Sequence, residues 1–333
     1  MNKTHSKPPA MFTFILTCLC ILIMFFIAVN TGGIRMSISE LFSGLFLKYD
    51  KNVAIIAQLR FPRIIVALMG GMIMSVSGVL MQAVMRNPLA DPAIIGVSSG
   101  SALTSLVMLL LMPSLSAFVP LFSFFGGMAA FAVVYLLSFN GEVSPVRLIL
   151  VGIAVDAVLA GIYQAFDAAT GGAYTGAKNI INANISLKTW GDVKTLAIYT
   201  LIGALLCIFV IQKCNLLALS DQTIGSLGVN VARTRLIVAI VSVMLASIFT
   251  SVIGTVCFLG LIVPHIARLL VGSNHKVLVP YSALLGAFIF LLADTLGRSI
   301  AYPYEISSSI IMAVIGGPIF IILLKRSRGI YAK

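Results

Sequence analysis

The sequence has little charge. Asp, Glu, Lys and Arg make up 10% of its 333 residues, whereas a soluble domain usually carries about 25%. No polar stretch is long enough to form a separate soluble domain, and 60% of the residues are hydrophobic. Apolar runs of about 18 residues or more recur along the chain, which is typical of membrane-spanning helices. The composition therefore excludes a soluble globular protein and predicts an all-α polytopic membrane protein, a single transmembrane domain over residues 1–333.

Metal ligands and catalytic groups are also scarce. The five cysteines lie in or at the ends of apolar segments, where they act as small buried apolar residues. His265 and His275 have no carboxylate or cysteine at a spacing that would complete a metal site. Outside the apolar segments there is no nucleophile–base arrangement and no pair of catalytic carboxylates. We therefore expect no catalytic residues, no metal site and no cofactor in this chain, and no disulfide framework.

The net charge of +12 does not indicate nucleic acid binding. The Lys and Arg residues lie between the apolar segments and form no long basic tract. Such charges are typical of loops that face anionic lipid and set the topology of a membrane protein.

The apolar segments predict ten membrane spans. Residues 236–271 would rise about 54 Å as one helix, against a hydrocarbon core of about 30 Å. Gly254 is the natural break, and Pro264 weakens the second half. The ten predicted spans are 11–29, 64–85, 94–112, 117–139, 146–168, 194–212, 236–253, 255–271, 278–297 and 306–324.

The distribution of positive charge predicts the orientation. With the N-terminus inside, 13 Lys and Arg residues fall on the inner side and nine on the outer side, which favours cytoplasmic termini at both ends. Arg60, Arg63 and Arg298 fall at outer helix ends, against this rule. Charges that oppose the topology rule indicate a further role.

Polar residues within the spans are candidates for the transport pathway, because an ionisable group in a membrane is costly. Asp156 lies about two turns inside its span, and Gln164 follows on the same segment. Asp156 either lines a pathway, relays protons or bonds a neighbouring helix. Asp294 lies four residues before Arg298, the spacing of a helical ion pair, which favours a structural role.

Three blocks carry a resemblance to a known family. The first is Leu59-Arg60-Phe61-Pro62-Arg63 followed by Asn87-Pro88-Leu89-Ala90-Asp91-Pro92 and Gly96-Val97-Ser98-Ser99-Gly100. The second is the segment 216–235 with Leu227-Gly228-Val229. The third contains Gly260-Leu261-Ile262-Val263-Pro264-His265-Ile266-Ala267-Arg268 and Asp294-Thr295-Leu296-Gly297-Arg298. The chain beyond its first span resembles the FecCD-type permeases of bacterial ABC importers.

The resemblance implies a type II ABC importer permease in the bacterial cytoplasmic membrane. Such a permease pairs with a second permease subunit, homologous or identical. The pair sits on two cytoplasmic ATPase subunits and receives cargo from an extracytoplasmic binding (lipo)protein. The matching arginines, Arg60, Arg63 and Arg298, would face outward and pair with that protein. The positions implied for ATPase coupling are Asp221, Leu227, Gly228, Val229, Pro264, His265 and Arg268.

The resemblance also implies the cargo class, an iron–siderophore complex, with haem or vitamin B12 as the alternative. ATP hydrolysis is expected in a separate subunit, because Gly171–Lys178 nearly matches a phosphate loop but has Ala177 where lysine is required. The pattern departs from the family at Glu305-Ile306-Ser307-Ser308-Ser309 and at Trp190-Gly191-Asp192. A rival from another class is a secondary transporter that uses Asp156 for proton coupling, although no inverted repeat is visible.

Overall fold

A computed structural model describes residues 10–32, 37–46, 50–140, 142–143, 145–169 and 183–327. The described residues include a 3₁₀ helix, Pro113–Phe118, and two short antiparallel strands, β1 (Phe139–Asn140) and β2 (Glu142–Val143). The glycine-rich segment with the near phosphate loop lies outside the described residues. The described α-helices are α1 (Ala10–Asn30), α2 (Ile38–Phe46), α3 (Lys51–Met85), α4 (Val97–Leu111), α5 (Val119–Ser138), α6 (Pro145–Ala169), α7 (Trp190–Leu217), α8 (Asp221–Ser226), α9 (Val231–Val252), α10 (Leu259–Val271), α11 (His275–Ile300) and α12 (Ser308–Ser327).

The fold is an all-α membrane domain in which a helix covers each of the ten predicted spans. Among the described residues, seven helices are long and apolar enough to cross a membrane, and three shorter apolar ones accompany them. We name the end of the domain at which Arg86 contacts Asp221 the inner end, and the end at which Arg63 contacts Glu305 the outer end, after the sides that the charge count predicts for the two arginines.

Helix α3 starts earlier than the sequence predicts. Its 35 residues run from Lys51 and rise about 52 Å, whereas the predicted span begins at 64. Arg60, Pro62 and Arg63 therefore lie inside the helix, whereas the predicted span places them just before its start. A proline in a helix frees a carbonyl one turn back, and here the Trp190 indole donates to the nearby Ala57 carbonyl at 3.1 Å.

Helix α10 is shorter than the predicted span 255–271. Its 13 residues rise about 20 Å, which is less than the hydrocarbon core of about 30 Å. The chain leaves α9 at Ile253, turns at Gly254 with φ +115°, and starts α10 level with the middle of α3. Prediction overestimated this span because residues 255–258 are apolar but do not form a helix.

Close packing of small residues holds the centre together. A Cβ atom at Gly78 of α3 would lie 1.9 Å from the Gly260 carbonyl oxygen of α10, and one at Gly71 would lie 2.2 Å from that of Gly286 in α11. Helices in a membrane approach closely where side chains are absent. Buried serines add hydrogen bonds between helices, such as Ser101 Oγ to Ser247 Oγ at 2.8 Å. Because α3 contacts α1, α7, α9, α10 and α11, it is the central helix of the domain.

Helix α6 is the least covered of the long helices. In its most apolar stretch 11% of the residues are buried, against 78% for α3. Leu150, Ile153 and Val158 are each more than half exposed. An apolar helix surface of this kind needs lipid or another subunit to cover it.

Candidate functional sites at the two ends of the bundle

Arg63 organises a charged cluster at the outer end. Its Nη2 lies 2.9 Å from Asp294 Oδ1 of α11, and its Nη1 lies 2.8 Å from Glu305 Oε2 in the loop before α12. The Arg63 and Asp294 side chains are 8% and 1% exposed. The fork of the guanidinium matches two carboxylates at once. Arg63 therefore ties α3, α11 and the last loop together.

Arg298 is buried in the same cluster. The Asp294–Arg298 ion pair that the spacing predicts is present, with Nε 3.3 Å from Oδ2. Arg298 Nη2, however, has no hydrogen-bond partner among the described residues. Arg60 is half-buried and donates a hydrogen bond to the Val29 carbonyl of α1. The expectation that all three arginines face outward is thus wrong for Arg63 and Arg298, which are each 6% exposed.

Glu305 closes the outer cluster from the loop side. Burial alone would raise the pKa of Glu305, but hydrogen bonds from Ser186 and Arg63 and the charges of Arg63 and Arg298 outweigh it and lower the pKa. A cavity of about 270 Å³ lies over this cluster and is lined by Arg60, Arg63, Arg298 and Glu305 among others. Sequence reasoning noted Asp294 and Glu305 but could not pair them with Arg63, which is more than 200 residues away.

The short helix α8 lies at the inner end. The Ser220 side chain caps it by accepting the Thr223 N–H at 3.2 Å, and Asn230 caps α9 in the same way at 2.9 Å. Ile224 of α8 is fully buried and so fixes this short helix to the rest of the domain. The four residues of the segment that the resemblance implies for coupling are exposed or half-buried on this surface: Asp221, Leu227, Gly228 and Val229.

Two arginines fix Asp221. Arg86 Nη2 lies 2.6 Å from Asp221 Oδ1, and Arg235 Nη2 of α9 lies 3.1 Å from the same atom. Arg86 also donates from Nε to the Leu217 carbonyl at the end of α7, at 2.7 Å. Sequence reasoning placed Arg86 and Asp221 on the same side but carried no signal that they form a pair.

The second group implied for coupling lies on α10. His265 lies in the middle of this helix and Arg268 in its last turn, and both are half-buried, whereas Pro264 is buried and does not reach the surface. Nearby, the Asn215 side chain of α7 accepts the His275 N–H at 2.9 Å and so fixes the start of α11. The ends of α3, α7, α10 and α11 and the whole of α8 therefore form one inner surface.

Asp91 is fully buried between the end of α3 and the start of α10. Its carboxylate accepts the Ala93 N–H at 2.9 Å and a second backbone hydrogen bond from Phe258, the residue before α10. The sequence predicts residues 87–92 as a tight turn on the inner side. In the structure this turn inserts Asp91 into the bundle, where it accepts a hydrogen bond at the start of α10.

The two candidates for the transport pathway differ in their surroundings. Asp156 of α6 is half-buried and accepts a hydrogen bond from the Ser99 hydroxyl of α4. Gln164, two turns further along α6, is exposed. Asp156 thus bonds a neighbouring helix, one of the three roles that the sequence left open, while it borders the exposed face of α6.

Comparisons with known proteins agree with this architecture. The model of the FecCD transport family matches residues 20–326. The chain is 38% identical over 314 residues to "Probable heme-iron transport system permease protein IsdF" of Staphylococcus aureus strains Newman and USA300, covering 93% of this chain and 95% of each relative. Among solved structures, a metal-chelate type ABC transporter in an inward-facing conformation is 26% identical with a TM-score of 0.76, covering 95% of this chain and 99% of that one. PsaBC from Streptococcus pneumoniae, at 14% identity and a TM-score of 0.56 over 86% of this chain and 95% of that one, shares the fold.

The family match over nearly the whole chain and the structural likeness define the class as the permeases of ABC importers. Permeases of this class are not enzymes themselves, because the ATPase is a separate subunit. The chain is a multi-pass membrane protein, and it belongs to the FecCD transport family.

Proposed function

We propose that this chain is the membrane subunit of an ATP-driven importer of an iron chelate, with haem as the first candidate cargo. The observation that carries the proposal is the full-length similarity to a permease named for heme-iron transport, at 38% identity over 93% of the chain. The sequence motifs alone favour a ferric siderophore, and this cargo stays as the second candidate because no described residue discriminates between the two.

We further propose the partners and the orientation. The chain pairs with a second permease subunit through the exposed face around α6, two ATPases sit at the inner end, and both termini are cytoplasmic. The exposed apolar residues of α6 support the first contact, since lipid or protein must cover them. The location is the bacterial cytoplasmic membrane.

The outer cluster is the proposed docking site for an extracytoplasmic binding protein. Arg60 is half-buried and borders the 270 Å³ cavity. Arg63 is engaged by Asp294 and Glu305, and Arg298 is buried beside Asp294, so both act by holding the cluster in place. A carboxylate of the binding protein would pair with Arg60, and such a pair mainly steers and orients docking.

The inner surface is the proposed contact with the ATPases. Leu227 is 59% exposed beside Gly228, so an apolar side chain stands on the protein surface next to a flexible glycine. Asp221 and Val229 belong to the same surface, and His265 and Arg268 extend it along α10. Pro264 shapes α10 and makes no surface contact.

The experiment is uptake into proteoliposomes that hold the complete complex of permease, ATPase and binding protein. Radiolabelled haem and a ferric hydroxamate are supplied separately, with ATP or a non-hydrolysable analogue inside. We expect ATP-dependent uptake of haem. Uptake of the hydroxamate alone would replace haem by the second candidate, and ATP-independent uptake driven by a proton gradient would refute the importer class.

The Asp156→Asn variant tests the rival transporter directly. In an ATP-driven importer the residue needs no proton, so the Ser99 hydrogen bond and most of the uptake should persist. Loss of proton-dependent uptake in this variant would instead support the secondary transporter.

A further inference from the structure

Arg86 has a backbone conformation that is unusual for its residue type. Its φ is +47°, in the left-handed region that favours glycine. It ends α3, and the Asn87 N–H bonds back to the Gln82 carbonyl at 3.2 Å, as in a helix cap that glycine usually forms. An arginine in a backbone conformation that favours glycine indicates a functional role for its side chain.

The Arg86 side chain reaches the helix proposed to contact the ATPase. It donates to the Leu217 and Leu219 carbonyls, which lead into α8, and it pairs with Asp221, the first residue of α8. These three partners link the Arg86 guanidinium, and with it the end of α3, to the start of α8.

The turn after Arg86 supports α6, which carries the pathway candidates Asp156 and Gln164, and reaches α12 through Phe258. A Cβ atom at Gly152 of α6 would lie 2.7 Å from the Ile94 carbonyl, so α6 rests directly on the backbone of this turn. Asp91 of the same turn bonds Phe258. The Phe258 ring lies 5.9 Å from that of Phe320 in α12, and Gly316 packs against its Cβ.

We infer that Arg86 is the positioning residue that couples the ATPase-contacting helix α8 to the pathway helix α6 and to its neighbour in this route, α12, through the turn 87–96. The inference rests on the proposed function. The route is contiguous: Asp221 to Arg86, then the turn, then Gly152 on one branch and Asp91 with Phe258 on the other. Coupling between distant sites is carried by contiguous packed side chains and hydrogen-bond networks of this kind.

The test compares three substitutions in the reconstituted complex. Arg86→Gly removes the side-chain contacts to α8, and glycine is compatible with the positive φ. Arg86→Lys keeps the positive charge but loses the planar guanidinium with its several donors. Arg235→Gln removes the charge of the other partner of Asp221 and leaves α3 unchanged. ATP hydrolysis and haem uptake are measured on the same proteoliposomes, and the thermal midpoint on the purified complex.

We expect Arg86→Gly to hydrolyse ATP within about twofold of the wild type while uptake per ATP falls at least about fivefold. The uptake per ATP of Arg86→Lys should lie between the values of the wild type and Arg86→Gly. Arg235→Gln should keep the wild-type uptake per ATP. A wild-type ratio in Arg86→Gly, or a parallel loss of hydrolysis and uptake, would overturn the inference. If the Arg86→Gly complex does not assemble, Arg86→Lys provides the test, because a wild-type uptake per ATP in Arg86→Lys would also overturn the inference.

The wild-type arm keeps the two proposals distinct. Absence of ATP-dependent uptake in the wild-type complex would refute the proposed function and the coupling role with it. Normal wild-type uptake with a normal ratio in Arg86→Gly would refute only the coupling role of Arg86.

Discussion

Arg63 and Asp294 form a buried ion pair that joins the central helix α3 to α11, with Nη2 and Oδ1 2.9 Å apart. Asp294 is 1% exposed and also faces Arg298. We expect Asp294→Asn to destabilise the protein by about 3–5 kcal/mol, because it leaves two buried guanidinium groups undercompensated. Unfolding in mixed detergent micelles measures the free energy.

Glu305→Gln is the matched control for this prediction. Glu305 also pairs with Arg63, but its side chain is 41% exposed, so the loss should stay below about 1 kcal/mol. Equal losses of unfolding free energy in Asp294→Asn and Glu305→Gln would show that burial does not determine how much each ion pair contributes to stability.

The stability contributed by Glu305 should depend on pH. Its pKa is lowered in the folded protein, so its contribution is fully present above the unfolded value of about 4.3 and is lost as the pH falls through the lower folded value. The difference in thermal midpoint between the wild type and Glu305→Gln should therefore be constant from pH 7 to 5 and shrink below about pH 4. A difference that already vanishes at pH 6 would contradict the lowered pKa.

Charge reversal at Arg60 should weaken docking of the binding protein. Arg60 is half-buried beside the outer cavity, so we expect Arg60→Glu to reduce affinity by about tenfold at low salt, and less as salt rises. Arg63→Glu is unsuitable for this test because Arg63 holds the fold.

Lys51→Glu provides the control, because it makes the same charge change on the exposed first turn of α3. Its affinity should stay within about twofold of the wild type. Affinity measured by surface plasmon resonance that is equal for Arg60→Glu and the wild type at low salt would remove Arg60 from the docking site.

Gly228 and Gly225 allow a comparison of backbone conformation near α8. Gly228 has φ +74°, whereas Gly225 lies within α8, and a Cβ atom at either position would meet nothing within 4 Å. We expect Gly228→Ala to lower the free energy of unfolding by about 1 kcal/mol through backbone strain. Gly225→Ala should raise it by about 0.5–1 kcal/mol.

A bulky residue at Gly228 tests the ATPase contact. Because this chain leaves open space there, Gly228→Leu should fold with little more loss than the alanine variant. We expect it to uncouple ATP hydrolysis from uptake by excluding the ATPase surface. Normal coupled uptake in this variant would place Gly228 outside the contact.

Gly78 should be the glycine least tolerant of substitution among those compared. A Cβ atom there would lie 1.9 Å from the Gly260 carbonyl, whereas one at Gly161 of α6 would meet nothing within 4 Å. We expect Gly78→Ala to cost about 3 kcal/mol or more through overpacking, and Gly161→Ala to be neutral or slightly stabilising. Thermal unfolding in detergent separates the two, and a well-folded Gly78→Ala protein would contradict the close approach of α3 and α10.

Several features could be predicted because they depend on local pattern. Hydrophobic runs located a helix in each of the ten predicted segments, and the spacing of Asp294 and Arg298 predicted their ion pair. The bounds of α3 and α10 were predicted incorrectly. Helix α3 continues through Pro62 back to Lys51, where the Asp50 side chain accepts the Val53 N–H at 3.2 Å. Residues 255–258 stay outside α10, where Asp91, distant in sequence, accepts a hydrogen bond from Phe258.

The sequence by itself determined the class of protein, the number of apolar segments and the family, since these depend on composition and on motifs of a few residues. Only the tertiary structure decided which charges meet. Arg63 and Asp294 are 231 positions apart, and Arg86 and Asp221 also come from different parts of the chain. A pairing at such separation is set by the packing of whole helices, and no local periodicity records it.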